Sequence, residues 1–522
     1  MATELIARLA VLGVLINIPA SLQDFVSSCP CYGCRPSGTF SFSLTPPINA
    51  SIAWTSQFFI GPVPNALGCV GNANNIICQS NGPREVGYIS FDVATGNLMW
   101  RDGILRFPVL PVMDVYGDVI GSDGHSLVLY MDDGTLKPVI RMSDWVYPIF
   151  SLSITEDDIF VFVSKNGYLI SYFPDGVAHA NIPFPGELER VNGTFHPIFS
   201  PVISGRRAYV LTQFIPEGSK EPGNLGMRRL YAIDVIPRMV DRLHISWVIN
   251  FEMEEPKKTM NRGNVVFFDQ EEEEKPRDTE KVPPRVMVNS DTDTVYVSLP
   301  APSGTGTGNT KFWAIQDNRT SNIPEILFKT EFSLSSMATY EEGNNDQHTI
   351  DKRKDGIWEK FGPLRDTTRR SERERQEPSS VWAVHSNKEI ILEISPFSGN
   401  IIKSINISQV LKSKAMITSD IMVTRSNVNA ADHLVFTATL VNGPSVAFSD
   451  LCKSLGINRS QNKNYVIQME GDVLSWAIPT AKDLPGLGQI AGIKTHDNSN
   501  DIRDMYVIFA GDNESSVVFG VH

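Results

Sequence analysis

Tyr88-Ile89-Ser90-Phe91-Asp92-Val93-Ala94-Thr95-Gly96-Asn97-Leu98-Met99-Trp100 reads as a strand, a tight turn and a second strand ending on a large aromatic. Thr95-Gly96 gives the turn a residue that tolerates positive φ, and Asp92 is of the type that bonds turn amides. Degraded copies recur along the chain. They fall at 127–134 and 167–176, from Tyr231-Ala232-Ile233-Asp234 to Trp247, at 312–315 and 392–399, and from Tyr465 to Trp476. Repetition of one strand-turn-strand unit predicts a ring of four-stranded blades, a β-propeller.

Apolar alternating runs at 159–163, 208–212, 294–298, 434–438 and 505–510 precede these hairpins and read as the inner strand of each blade. Counting the units gives seven or eight blades of roughly 40 to 50 residues plus insertions. Ser51-Ile52-Ala53-Trp54 stands alone as an opening strand and is expected to pair with the terminal strands at 505–519. Without that clasp the first or last blade would present an unpaired edge. The competing reading is a pair of β-sandwiches with chance Thr-Gly turns.

The hairpin resembles the pyrroloquinoline-quinone-type repeat, in which an Ala-hydrophobe-Asp strand precedes a Thr-Gly turn and a Trp closes the next strand. The resemblance implies an all-β, quinoprotein-like β-propeller of seven or eight blades, with the Trp buried between neighbouring blades. It also raises quinone-dependent dehydrogenases, which use a vicinal Cys-Cys ring, a calcium site and a catalytic Asp. No two cysteines of this chain are adjacent, and none of its carboxylates matches those motifs. The resemblance therefore implies the scaffold without the site, and no catalytic, cofactor-binding or metal residue is assigned. Bacterial outer-membrane assembly lipoproteins that resemble the same repeat are a non-enzymatic precedent, although no lipobox is visible here.

Other catalytic templates are missing: Gly-x-Ser-x-Gly, His-Glu-x-x-His and a phosphate-cradling loop before a helix do not occur. Gly121-Ser122-Asp123-Gly124-His125 reads as a turn, since neighbours that close do not form a spatial triad. Gly304 to Gly308 reads as an interstrand loop, and His196 as a hydrogen-bonded loop histidine.

A formal net charge of −13 over 522 residues, without a sustained basic stripe, excludes a nucleic-acid binder. Residues 1–20 read as a signal peptide, with an apolar run from Leu5 to Ile16 and Pro19-Ala20-Ser21 after it; Glu4 in place of a basic residue leaves an uncleaved anchor as the alternative. No other segment reaches the length needed to span a bilayer. Residues 21–48 form a Cys-containing N-terminal segment, and 49–522 the propeller. Charged, apolar-poor insertions at about 252–285 and 341–378 read as long loops.

Six Asn-x-Ser/Thr sequons, at Asn49, Asn192, Asn318, Asn406, Asn458 and Asn513, support export and glycosylation. The cysteines Cys29, Cys31, Cys34, Cys69, Cys78 and Cys452 form an even set suited to an oxidising compartment. Cys69 and Cys78 flank a short loop and are the favoured disulfide. Cys29, Cys31 and Cys34 are expected to pair with one another or with Cys452, rather than to bind zinc. The expectation for function is a secreted or cell-surface propeller that binds a protein or a glycan through its loops. The alternative is a quinone- and calcium-dependent oxidoreductase, which requires carboxylates and a Trp converging on one mouth of the channel.

Overall fold

A computed structural model of the chain is a β-propeller of eight sheets arranged as blades. It describes residues 29–522 except 46, 48–49, 57–67, 82–85, 104, 106–107, 115–116, 124–125, 138–139, 142–147, 165, 174, 189–190, 218–226, 238–241, 252–283, 300–310, 333, 342–378, 426–429, 449–450, 452–461, 497–501 and 513–514. The signal-like stretch, Asn49, Asn458, Asn513, Cys452, His125 and the Gly304 to Gly308 loop lie outside the described residues, as do 252–283 and 342–378 of the two insertions.

Blade 1 runs Cys69–Gly71, Asn75–Asn81, Val86–Asp92 and Leu98–Asp102, each strand antiparallel to the last. Blades 2 to 7 open with Val112–Met113, Pro148–Ile154, Val202–Ser204, Arg285–Asn289, Leu334–Thr339 and Met422–Thr424. In blade 8 three strands come from the C-terminal part, Ala491–His496, Ile502–Gly511 and Ser516–Val521, and the outermost, Ile52–Thr55, comes from the N-terminal part. The expected clasp is therefore present.

Every recurring hairpin of the sequence starts on the third strand of a blade. Blade 8 has no such hairpin, because its third and fourth strands lie at opposite ends of the chain. Mutual backbone bonds between Ser51 and His522, at 2.9 and 3.1 Å, stand where the turn would be. Seven hairpins and one split copy give eight blades.

The apolar runs read as inner strands are in fact second strands: Phe160–Ser164, Arg207–Pro216, Thr294–Leu299, His433–Leu440 and Ile502–Gly511. The innermost strands are as short as Val112–Met113, too brief to carry an alternating pattern. Blade 4 has an added hairpin, Pro185–Leu188 with Val191–Pro197, paired to the far end of Arg207–Pro216. His196, read as a loop residue, sits in that second strand.

Between third and fourth strands the register slips at one place in blades 1, 3, 4, 5, 6, 7 and 8. Beside the slip stands an aromatic in five of them: Trp100, Trp247, Phe328, Trp476 and Trp54. Each reaches the next blade. Trp54 Nε1 donates to Val93 O at 2.7 Å, and a Cβ on Gly96 (φ +69°) would lie 2.4 Å from the Trp54 ring. Gly96 is thus required twice, by backbone conformation and by the indole above it. Asp92 Oδ1 accepts from the Thr95 amide at 2.7 Å and completes the turn.

Trp100 donates to Asp132 O at 3.1 Å, and Trp247 to Asp317 Oδ1 at 2.9 Å. Trp476 donates to Pro47 O at 3.2 Å and its ring lies 6.3 Å from that of Tyr506 in blade 8. Blade 6 substitutes Lys403, whose Nζ lies 2.9 Å from Asp472 in blade 7. The ring of docked aromatics is the packing that the repeat implied, and truncating one such indole to alanine costs about 3 to 5 kcal/mol.

Candidate functional site

A propeller brings the innermost strands of all its blades around one channel, and each of those strands turns one edge towards it. In an open channel water would meet those amides; in a filled one they need protein partners. Here the chain supplies them. Residues 29–44 lie inside the ring, and all but Arg35, Pro36 and Ser43 are buried.

The segment visits the blades in turn. Cys29 and Gly71 of blade 1 exchange both backbone bonds at 2.8 Å, and Met113 of blade 2 donates to Pro30 O at 2.8 Å. Ile203, Val288, Thr339 and Val423, of blades 4 to 7, donate to Pro36, Ser37, Thr39 and Phe40 at 2.6, 2.9, 3.1 and 2.9 Å. Ser41–Phe42 then runs parallel to Met422–Thr424 as an extra inner strand of blade 7. The Gly33 amide donates to Gln489 Oε1 at 2.7 Å, just before the first strand of blade 8. Gly33 (φ +78°) and Gly38 approach so closely that a Cβ on Gly33 would sit 2.6 Å from Gly38 Cα.

Side chains fix this plug from the wall. Buried Glu341 accepts from Ser37 Oγ at 2.5 Å and Thr39 Oγ1 at 3.0 Å through one oxygen, and from the Ser290 amide at 3.2 Å through the other. Buried Asp420 pairs with Arg285 at 3.0 Å and accepts from the Tyr32 hydroxyl at 3.4 Å; Arg285 also meets that hydroxyl directly. Tyr32 packs edge-on against Phe40 and Phe199, at 5.2 and 6.1 Å. Arg285 and Glu341 are the inner ends of the two charged insertions, so those ends belong to the channel. Sequence reasoning missed both, as well as Asp420 and Gln489, because a lone polar residue beside a loop carries no pattern.

Two disulfides border the plug, Cys29–Cys34 and Cys69–Cys78. Gln489 Nε2 ties them together by donating to Cys69 O at 2.7 Å and to Cys29 Sγ at 3.6 Å. Cys31 is a free, buried thiol, and burial pushes its pKa far above the ordinary value. Held neutral, it is neither a nucleophile nor a ready metal ligand. Among the described residues no group of three or more His, Cys, Asp or Glu is placed to hold a metal ion. No described helix is long and apolar enough to cross a membrane.

The structure spreads the three described sequons rather than gathering them. Asn192 is exposed on the added hairpin of blade 4, and Asn318 is exposed at the end of Lys311–Asn318 in blade 5. Asn406 is half-buried and caps the short helix Ile407–Val410 by accepting from the Gln409 amide at 3.2 Å. In blade 3, Ser171 Oγ and His179 Nδ1 lie 2.7 Å apart. Both are buried, and His179 Nε2 lies 3.1 Å from Ile236 O, so the ring bridges blades 3 and 4 instead of facing a substrate. Burial lowers the pKa of His179.

No protein-family model matches the chain, and no curated protein matches its sequence. Among solved structures it is similar to BamB from Moraxella catarrhalis, with a TM-score of 0.43, 9% identity, and coverage of 91% of this chain and 100% of that one. It is also similar to a quinohemoprotein alcohol dehydrogenase from Comamonas testosteroni, with a TM-score of 0.41, 9% identity, and coverage of 95% and 80%. A third is BBS1N in complex with ARL6DN, at a TM-score of 0.34, 8% identity, and coverage of 90% and 97%. The first two are pyrroloquinoline-quinone-like propellers.

Proposed function

We propose that this chain is an exported, non-catalytic scaffold that binds a protein or a glycan through the loops and outer edges of its ring. The observation that carries the reading is the plug. A quinone cofactor of the kind considered for the repeat family would need the central channel, and residues 30–40 fill it with bonds to six of the eight blades or their flanks. Glu341 and Asp420 do converge on the channel, as the oxidoreductase reading requires, but their oxygens accept from the plug's own Ser37, Thr39 and Tyr32. Carboxylates already committed to protein hydroxyls have little capacity left for a cation.

What remains available is the outside. A rigid ring that presents loops is well suited to recognition, because the framework bears the ordering cost before the partner arrives. Export is supported by two disulfides, which persist in oxidising compartments. The test is a thermal melt of the full chain with pyrroloquinoline quinone and calcium. A ligand that binds only the native state raises Tm by mass action, so the scaffold reading expects no shift at any concentration. A rise that saturates with quinone would reinstate the oxidoreductase.

A further inference from the structure

We propose that Asn318 carries an N-linked oligosaccharide that covers an exposed apolar strip on the outer edge of blade 5. The inference rests on the export reading above. Asn318-Arg319-Thr320 occupies the turn between the third and fourth strands of blade 5, and the strand alternation buries Asp317 while turning Asn318 outward. The turn is held on both sides. Asn318 Oδ1 accepts from the Thr320 amide at 3.2 Å, Thr320 Oγ1 at 2.7 Å and the Ser321 amide at 3.3 Å. Arg319 bonds Ser204 Oγ at 2.5 Å and pairs with Asp293 at 2.9 Å.

The three bonds that tie the Asn318 side chain to Thr320 and Ser321 fall on Oδ1, which stays an acceptor after modification, whereas the glycan attaches to Nδ2. Transfer from a polyprenyl-diphosphate oligosaccharide forms the C1–Nδ2 bond and breaks the C1–O bond to phosphate. Nδ2 gives up one proton, and polyprenyl diphosphate leaves.

The cross-strand partner of Asn318 is Ile323, which is 68% exposed. Ile323 opens Ile323–Glu331, the outermost strand of its sheet, and Ile326 and Leu327 on the same strand are 49% and 37% exposed. An uncovered apolar edge strand is a template for pairing between molecules, and proteins protect such edges. A glycan rooted one cross-strand step from Ile323 is placed to do that. Asn406, by contrast, is half-buried and committed to capping a helix.

The experiment expresses the full chain in secretory eukaryotic cells, once with its own N-terminus and once behind a known cleavable leader, and maps occupied asparagines by amidase release and peptide mass. The leader-driven protein is expected to carry a glycan on Asn318. N318Q and T320A are expected to lose that mass and to gain apolar-dye fluorescence and self-association, while T320S, which keeps the sequon, behaves as the parent. N192Q serves as a control that loses any glycan at Asn192 without the gain in dye binding. An unmodified Asn318 in the leader-driven, exported protein overturns the proposal, and so does loss of the glycan without any rise in dye binding. If the form with its own N-terminus stays inside the cell while the leader-driven form is exported and glycosylated on Asn318, the export reading fails and this proposal falls with it, whereas an exported but unmodified Asn318 overturns this proposal alone.

Discussion

Each blade has two free edges, and the molecule treats them in opposite ways. On the channel side, the amides of Met113, Ile203, Val288, Thr339 and Val423 are met by carbonyls of the chain's own N-terminal segment. On the outer side, Ile323–Glu331 and Ile401–Asn406 are the outermost described strands of their sheets, and Ile323, Ile326, Ile401 and Ile402 are exposed. The difference follows from water. A buried amide without a partner costs about 1 to 3 kcal/mol, whereas an outer amide is solvated without protein help. The inner edges therefore demand a dedicated segment, and the outer edges are left for partners or for covalent cover.

Removing the inner solution should have the largest effect. Deleting residues 29–44 strips partners from at least five inner-strand amides, and the expected outcome is loss of a cooperative thermal transition. A ring that melts at the parental temperature without the segment would break the comparison. Next in size, W54A should cost about 3 to 5 kcal/mol in denaturant unfolding, because the indole is buried on Gly96 at the clasp. K403A, at the equivalent place in blade 6, should change the midpoint little, since its ion pair is solvent-exposed. Equal effects from the two would deny that the aromatics lock the ring.

Replacing Cys29 and Cys34 together with serine should cost about 2 to 4 kcal/mol, and replacing Cys69 and Cys78 a similar amount. A smaller effect is expected from pH. The pKa of His179 is lowered by burial, so its neutral form is the folded one. Its stabilising contribution is complete above the ordinary value of 6.5 and is lost as pH falls through that value towards the folded pKa. Tm should therefore fall on mild acidification, and H179N should flatten that slope. The smallest effect belongs to the outer edge, where I326D should leave stability within about 0.5 kcal/mol.

The ring itself was legible because its third strand and turn carry a local signature. Asp92, Thr95, Gly96 and Trp100 each answer a local need, so weaker copies of the same residues mark seven blades. The eighth was ambiguous for a physical reason: its turn is replaced by contacts between Ser51 and His522, which no local pattern announces. Some innermost strands escaped notice because two or three residues, as in Val112–Met113 and Cys69–Gly71, cannot show a period, and longer ones such as Arg285–Asn289 are buried nearly throughout and so do not alternate.

The candidate site was the least legible part. Cys29 to Phe40 reads as a Cys-containing segment ahead of the propeller, yet its amides and carbonyls complete sheets as distant in sequence as the one that holds Val423. Cys69–Cys78 was readable because its two cysteines face each other across one hairpin. Glu341 and Asp420 act only where the fold assembles them around Ser37, Thr39 and Tyr32.

Amide hydrogen exchange along the innermost strands tests the account most directly. If residues 29–44 seal the channel, the amides of Met113, Ile203, Val288, Thr339 and Val423 should exchange as slowly as those of the second strands, and should open only with global unfolding. Exchange of those five amides at the rates of exposed loops, in a ring whose second strands stay protected, would mean that the channel is open and would contradict the account.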